Sequence, residues 1–158
     1  MCYMHTSFNH IKKCIKIILF SILSLFFVSS SNAELTVEEI VKSRQALFSK
    51  NYSTAKRVQA FSSKGDFEKA KKLMIEMSEH YKVLLDLFPE NTEDEFDTGA
   101  LPTVWEEKDA FNALMTKASE DMIKLTSVIE DANDIRGTLE QFMWRNCKSC
   151  HIRYREEQ

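Results

Sequence analysis

An all-α fold, an antiparallel four-helix bundle, is what this 158-residue chain predicts, and three features carry the prediction. Four long segments repeat apolar residues at steps of three and four, the mark of an amphipathic helix. Gly65, Gly99, Gly137, Pro89 and Pro102, all the glycines and prolines of the chain, fall between these segments or near their ends. No stretch alternates apolar and polar residues for long enough to suggest a strand. Four helices joined by mostly short loops pack as an antiparallel bundle, with cofactor sites between facing helices.

Residues 1–33 read as a cleaved secretory signal. Lys12, Lys13 and Lys16 come without an acid, Ile17 to Val28 form an apolar run broken only by Ser21 and Ser24, and Ser31-Asn32-Ala33 offers a small-x-small cleavage pattern. The run is short for a membrane span, although an uncleaved anchor is the rival reading. The expected mature part, residues 34–158, is one domain with a single core, exported to the periplasm. The whole chain carries a net charge of −3, and loss of the leader's lysines leaves the remainder more acidic, which excludes nucleic acid as an expected partner. Cleavage also removes Cys2 and Cys14, so that Cys147 and Cys150 are the only thiols of the exported chain.

The first helical segment opens with Thr36-x-x-Glu39, a capping-box pattern, and carries Val37, Val41, Arg44, Phe48, Ala55 and Val58 near one stripe, ending at Ser62 to Gly65. The second follows Gly65-Asp66 and repeats Phe67, Ala70, Met74, Met77, Tyr81, Leu84 and Phe88 before Pro89. The acidic stretch from Asn91 to Leu101 reads as a crossover loop. Thr103-x-x-Glu106 then caps a third segment through Trp105, Phe111, Leu114, Ala118, Met122, Leu125 and Ile129. The fourth runs from about Ile135 through Leu139, Phe142, Asn146, Cys150 and Tyr154, with Gly137 a weak point in its first turn.

On that last segment Cys147, Lys148, Ser149, Cys150 and His151 form C-x-x-C-H, the attachment signature of c-type haem. Helical spacing of i, i+3 and i+4 presents two sulfurs and one imidazole on one face. The thiols can add to the two vinyl groups as thioethers while the imidazole ligates the iron. A redox C-x-x-C pair belongs after a strand in a βαβ setting, and a structural zinc needs four ligands where only His80 remains to help. The expected cofactor is one covalently attached haem c per chain, held by Cys147 and Cys150 with His151 as the metal ligand. Arg44 stands out separately: it lies in the apolar stripe between Val41 and Phe48, where an unpaired cation is costly to bury, so it needs an internal anion or must snorkel to solvent.

The combination resembles the cytochrome c′ family, the class II cytochromes c. The residues that carry the resemblance are Arg44-Gln45-Ala46-Leu47-Phe48, Leu101-Pro102-Thr103-Val104-Trp105, Phe142, the C-K-x-C-H string and Tyr154-Arg155, spanning nearly all of residues 35–156. The resemblance implies that Arg44 pairs with a haem propionate, that Gln45 assists at the same edge, and that Arg155 is a proximal base when a gas ligand replaces the His bond. Low-spin relatives offer a Met one turn beyond the Arg position. This chain has Phe48 there, and no Met, His or Cys occurs from Glu34 to Ser63. A five-coordinate, high-spin iron is therefore expected, with Phe48 packed over it and no distal hydrogen-bond donor beside that ring. The acidic run from Glu90 to Asp97 and Trp144-Arg145-Asn146 before the haem motif depart from the family pattern.

The expected function is a periplasmic haem protein that binds nitric oxide and carbon monoxide at a crowded, apolar site and discriminates against dioxygen and water. The alternative is a soluble one-electron carrier with a six-coordinate, low-spin haem and a periplasmic redox partner. Met74, Met77, Met115 and Met122 read as core residues, and His80 as an ordinary histidine. No distal His and Arg pair or acid and base constellation argues for an enzyme. Family members often form homodimers through their first two helices, and Ile40, Leu47, Phe61, Leu73 and Leu85, beyond the main stripes, are the residues that would serve a homodimer here.

Overall fold

Helix α1, Val37–Ser62, starts where the capping box puts it: Glu39 N–H donates to the Thr36 hydroxyl at 3.3 Å, and Thr36 N–H donates to the Glu39 carboxylate at 2.8 Å. The computed structural model describes residues 35–93 and 98–156, so the expected signal peptide lies outside the described residues. Gly65 turns the chain at φ 75°, a conformation glycine adopts without steric cost. Asp66 then caps α2, Phe67–Leu85, by accepting from Lys69 N–H at 3.4 Å.

Two expectations about the middle of the chain need correction. Among the described residues the crossover contains a 3-10 turn, Glu90–Thr92, and Ala100 pairs with Arg155 in an isolated antiparallel bridge. The third segment is not one helix capped by Thr103. It begins as a short turn, α3, Thr103–Glu106, breaks at Glu107 with φ −117° and ψ 39°, and restarts as α4, Lys108–Val128. The Thr103 hydroxyl is engaged elsewhere, donating at 2.9 Å to the Arg153 carbonyl on the last helix.

The terminal run is continuous but changes gait: α5, Ile135–Leu139, passes through a π turn, Glu140–Trp144, into α6, Arg145–Tyr154. The extra residue in a π turn rotates the faces that follow. Consequently Met143, which the apolar stripe omitted, is 1% exposed, whereas Phe142 is half-buried. Nor is Gly137 simply a weak point. Its N–H donates to Asp134 Oδ1 at 2.9 Å, and a Cβ there would stand 2.3 Å from Asp134 Oδ2, so the cap closes over a glycine.

The core forms where the stripes of α1, α2 and α4 meet, with Met74, Met77, Met115 and Met122 all buried. Helix α2 packs against both α1 and α4, and the Ser78 and Ser119 hydroxyls join α2 to α4 at 2.8 Å. Leu73 belongs to this core, and Ile40, Leu47, Phe61 and Leu85 are half-buried against it. Of the positions expected to serve a homodimer, Leu73 is thus taken up by the core, while the other four keep part of their surface exposed. Helix α1 meets the terminal run at α5, which leaves room beyond Phe48, facing α6.

Candidate functional site

That room is a cavity of about 980 Å³, lined by Phe48 from α1 and by Cys147, Cys150 and His151 from α6. Its size is at the upper end of the range for cofactor pockets. Arg44, Gln45 and Arg155 also line it, so the residues expected to hold or contact a haem reach one cavity.

The C-terminal end of α6 is anchored by groups distant in sequence. Glu107 accepts from the Tyr154 hydroxyl at 3.1 Å and pairs with Arg153 at 2.7 Å, which holds its carboxyl below the ordinary value. Leu101 N–H donates to the Tyr154 carbonyl at 3.1 Å, and Glu156 N–H to the Gly99 carbonyl at 2.9 Å. At the other end, Asn146 donates to Asp121 at 2.9 Å. These ties fix the face on which the two sulfurs and the imidazole emerge.

Burial raises the pKa of Cys147, and burial together with Cys147 raises that of Cys150 to about 11. The Tyr81 hydroxyl stands 4.0 Å from Cys147 Sγ. Because the thiolate is the reactive form, alkylation of the haem-free protein by iodoacetamide is expected to be slow at neutral pH and to accelerate as pH rises toward the elevated pKa of Cys150. Rapid alkylation of both thiols at neutral pH would contradict this burial. His151 is pushed below its ordinary value by desolvation and by Arg155, whose guanidinium reaches within 3.5 Å of Nδ1. The neutral imidazole that metal ligation requires is thereby favoured.

Arg44 is 2% exposed and does not snorkel. Its guanidinium donates to the Thr92 hydroxyl at 2.8 Å and to the Leu87 and Thr92 carbonyls at 3.3 Å, and lies 4.7 Å from the Phe88 ring centre and 5.6 Å from that of Trp105. Neutral acceptors and ring faces share a charge for which the sequence suggested either an internal anion or an escape to solvent. Among the described residues no carboxylate pairs with it, and Lys108, 5.5 Å from the same Phe88 ring, has its pKa lowered by burial and by Arg44. Arg44, a buried cation in the cavity lining, and two thiols with an imidazole in the same lining fit the propionate edge and the attachment points of a haem c. The R44M variant is expected to lose about 1–3 kcal/mol of stability by leaving buried acceptors unmet, measurable by urea unfolding.

Phe48 packs edge-on to Phe88 at 6.2 Å, and Phe88 continues to Phe111 at 4.8 Å and Phe111 to Tyr154 at 5.2 Å. This ring relay connects α1 to the end of α6. Sequence reasoning missed Asn51 and Tyr81, both cavity-lining. Asn51 lies three residues after Phe48, and that spacing was the signal available. The wall is therefore not uniformly apolar, and a polar side chain does stand near Phe48. His80 is absent from the lining residues and contacts Asn51 instead, at 2.7 Å.

The family model described as Cytochrome C' matches residues 39–155. The chain belongs to the cytochrome c′ family. A cytochrome c′ of Rhodopseudomonas palustris (strain ATCC BAA-98 / CGA009) is 27% identical over 120 residues, covering 74% of this chain and 82% of that one. The structure of cytochrome c′ from Rhodobacter Spheriodes matches with a TM-score of 0.68 at 22% identity, over 78% of this chain and 100% of the other. A nitric oxide complex of a cytochrome c prime variant from Alcaligenes xylosoxidans matches with a TM-score of 0.65 at 22% identity, over 78% and 99% of the two chains. At these identities the structural likeness establishes the cytochrome c′ four-helix bundle.

Proposed function

We propose that the chain is an exported haem c protein, not an enzyme, whose five-coordinate, high-spin iron binds nitric oxide and carbon monoxide. The observation that carries this reading is the placement of Phe48 in the wall of the cavity that Cys147, Cys150 and His151 also line. When bound, haem supplies an iron centre with an affinity for diatomic ligands. Cys147 and Cys150 would tether it, His151 would supply a nitrogen ligand to the iron, and Arg44 with Gln45 would meet its anionic edge. Phe48 excludes water and yields to a small ligand. Arg155, within reach of His151 Nδ1, is the base beside the proximal imidazole. The nitric oxide complex of the Alcaligenes xylosoxidans relative supports a diatomic gas as the ligand class, and scavenging or transport of nitric oxide is the role this chemistry serves.

A second reading, a one-electron carrier with a six-coordinate haem, is favoured by Met115, a buried thioether that also lines the cavity. Optical and resonance Raman spectra of the purified haem protein, ferric and ferrous, separate the two. High-spin bands and ready uptake of nitric oxide support the gas-binding reading. A low-spin ferrous spectrum that resists ligand and turns high-spin in M115L supports the carrier.

A further inference from the structure

Asn51 is 4% exposed and lines the haem cavity, yet its Nδ2 is buried without a hydrogen-bond partner among the described residues. Buried amide nitrogens rarely remain unmet. The other arm of the amide is engaged: Oδ1 lies 2.7 Å from His80 Nδ1, and His80 is not among the lining residues. With Oδ1 placed against His80 Nδ1, Nδ2 is the arm left without a partner.

We propose that Asn51, oriented by His80, donates a hydrogen bond through Nδ2 to a diatomic ligand bound in the haem cavity. Asn51 and Phe48 are three residues apart on α1, neighbours on one face, so the ring that excludes water and the donor that receives a polar ligand stand together. The inference rests on the haem-binding reading of the site.

His80 determines which arm faces inward. A ring that carries its proton on Nδ1 donates to Oδ1 and holds Nδ2 toward the cavity, whereas the other neutral tautomer would accept from Nδ2 and turn Oδ1 inward. The charged groups facing His80 are Glu76, 3.7 Å from Nε2, and Lys50, which pairs with Glu76 at 2.7 Å. Burial, and Lys50 next, lower the His80 pKa, so the neutral ring predominates around neutral pH. A distal donor matters most for ligands that place negative charge on their outer atom, and donors of this kind help to decide which gas a haem retains. Asn51 therefore qualifies the discrimination expected of an apolar pocket.

Carbon monoxide added to the reduced holoprotein is the probe, read through its C–O stretching frequency and release rate. Uptake of carbon monoxide by the wild type tests the haem site itself. Given uptake, N51L is expected to raise the C–O frequency and to release the ligand about 2- to 10-fold faster, the equivalent of one neutral hydrogen bond. H80L is expected to shift the frequency in the same direction, and H80Q, whose amide can still donate to Oδ1, to restore it. An N51L holoprotein that is folded and high-spin but has the wild-type frequency and release rate overturns the proposal. A wild-type frequency in H80L overturns the orienting role of His80. Failure of the wild type to bind carbon monoxide overturns the site reading instead, so the two failures are distinguishable.

Discussion

In the C147A/C150A variant all covalently held haem is expected to be lost: after denaturation in acid and organic solvent, the pigment separates from a colourless polypeptide. The two sulfurs are the only thiols among the described residues and line one wall of the cavity with His151. Haem that reaches the double variant would be retained by axial ligation and packing alone. Each single variant keeps one thioether, and so stays coloured on a denaturing gel. Pigment that remained attached in the double variant would refute attachment at the C-x-x-C-H string.

The second large effect is expected at Phe48. In F48M a thioether replaces the ring in the cavity wall, and the expected result is a low-spin ferrous spectrum with suppressed uptake of carbon monoxide. F48A should act in the opposite sense. A ring that swings away from its edge-on contact with Phe88 forfeits roughly 0.5–1.5 kcal/mol, so removing the ring should accelerate carbon monoxide association by about 2- to 10-fold. Because Phe48 is only half-buried, the stability cost should fall below the ~3–5 kcal/mol typical of a fully buried Phe→Ala change. Stopped-flow mixing measures the rate and urea unfolding the stability. An association rate unaltered in F48A would remove Phe48 as the obstacle to ligand entry.

Much of this site was legible along the chain because its signals are local. The capping box at Thr36 and Glu39, the stripe of α2 and the i, i+3, i+4 spacing of Cys147, Cys150 and His151 each act within a turn or two of helix. Thr103 misled for a physical reason: Pro102 holds the N-cap position, so Thr103 is already the first helical residue, and its hydroxyl donates to the remote Arg153 carbonyl. The stripe of the last segment slipped at Glu140–Trp144 because a π turn breaks the 3.6-residue period on which the reading relied.

The sequence by itself determined that the chain is helical in four segments, that Cys147, Cys150 and His151 share one face of the last of them, and that Phe48 lies one turn beyond Arg44. Only the tertiary structure decided how Arg44 shares its charge with Thr92, Leu87 and two rings, and that Asn51 lines the cavity with its Oδ1 against His80. The reason is separation along the chain. Arg44 meets Thr92 across 48 residues, Asn51 meets His80 across 29, and Thr103 meets Arg153 across 50. Helical period constrains neighbours one turn apart, whereas the partner of a buried polar group depends on which helices the core brings together.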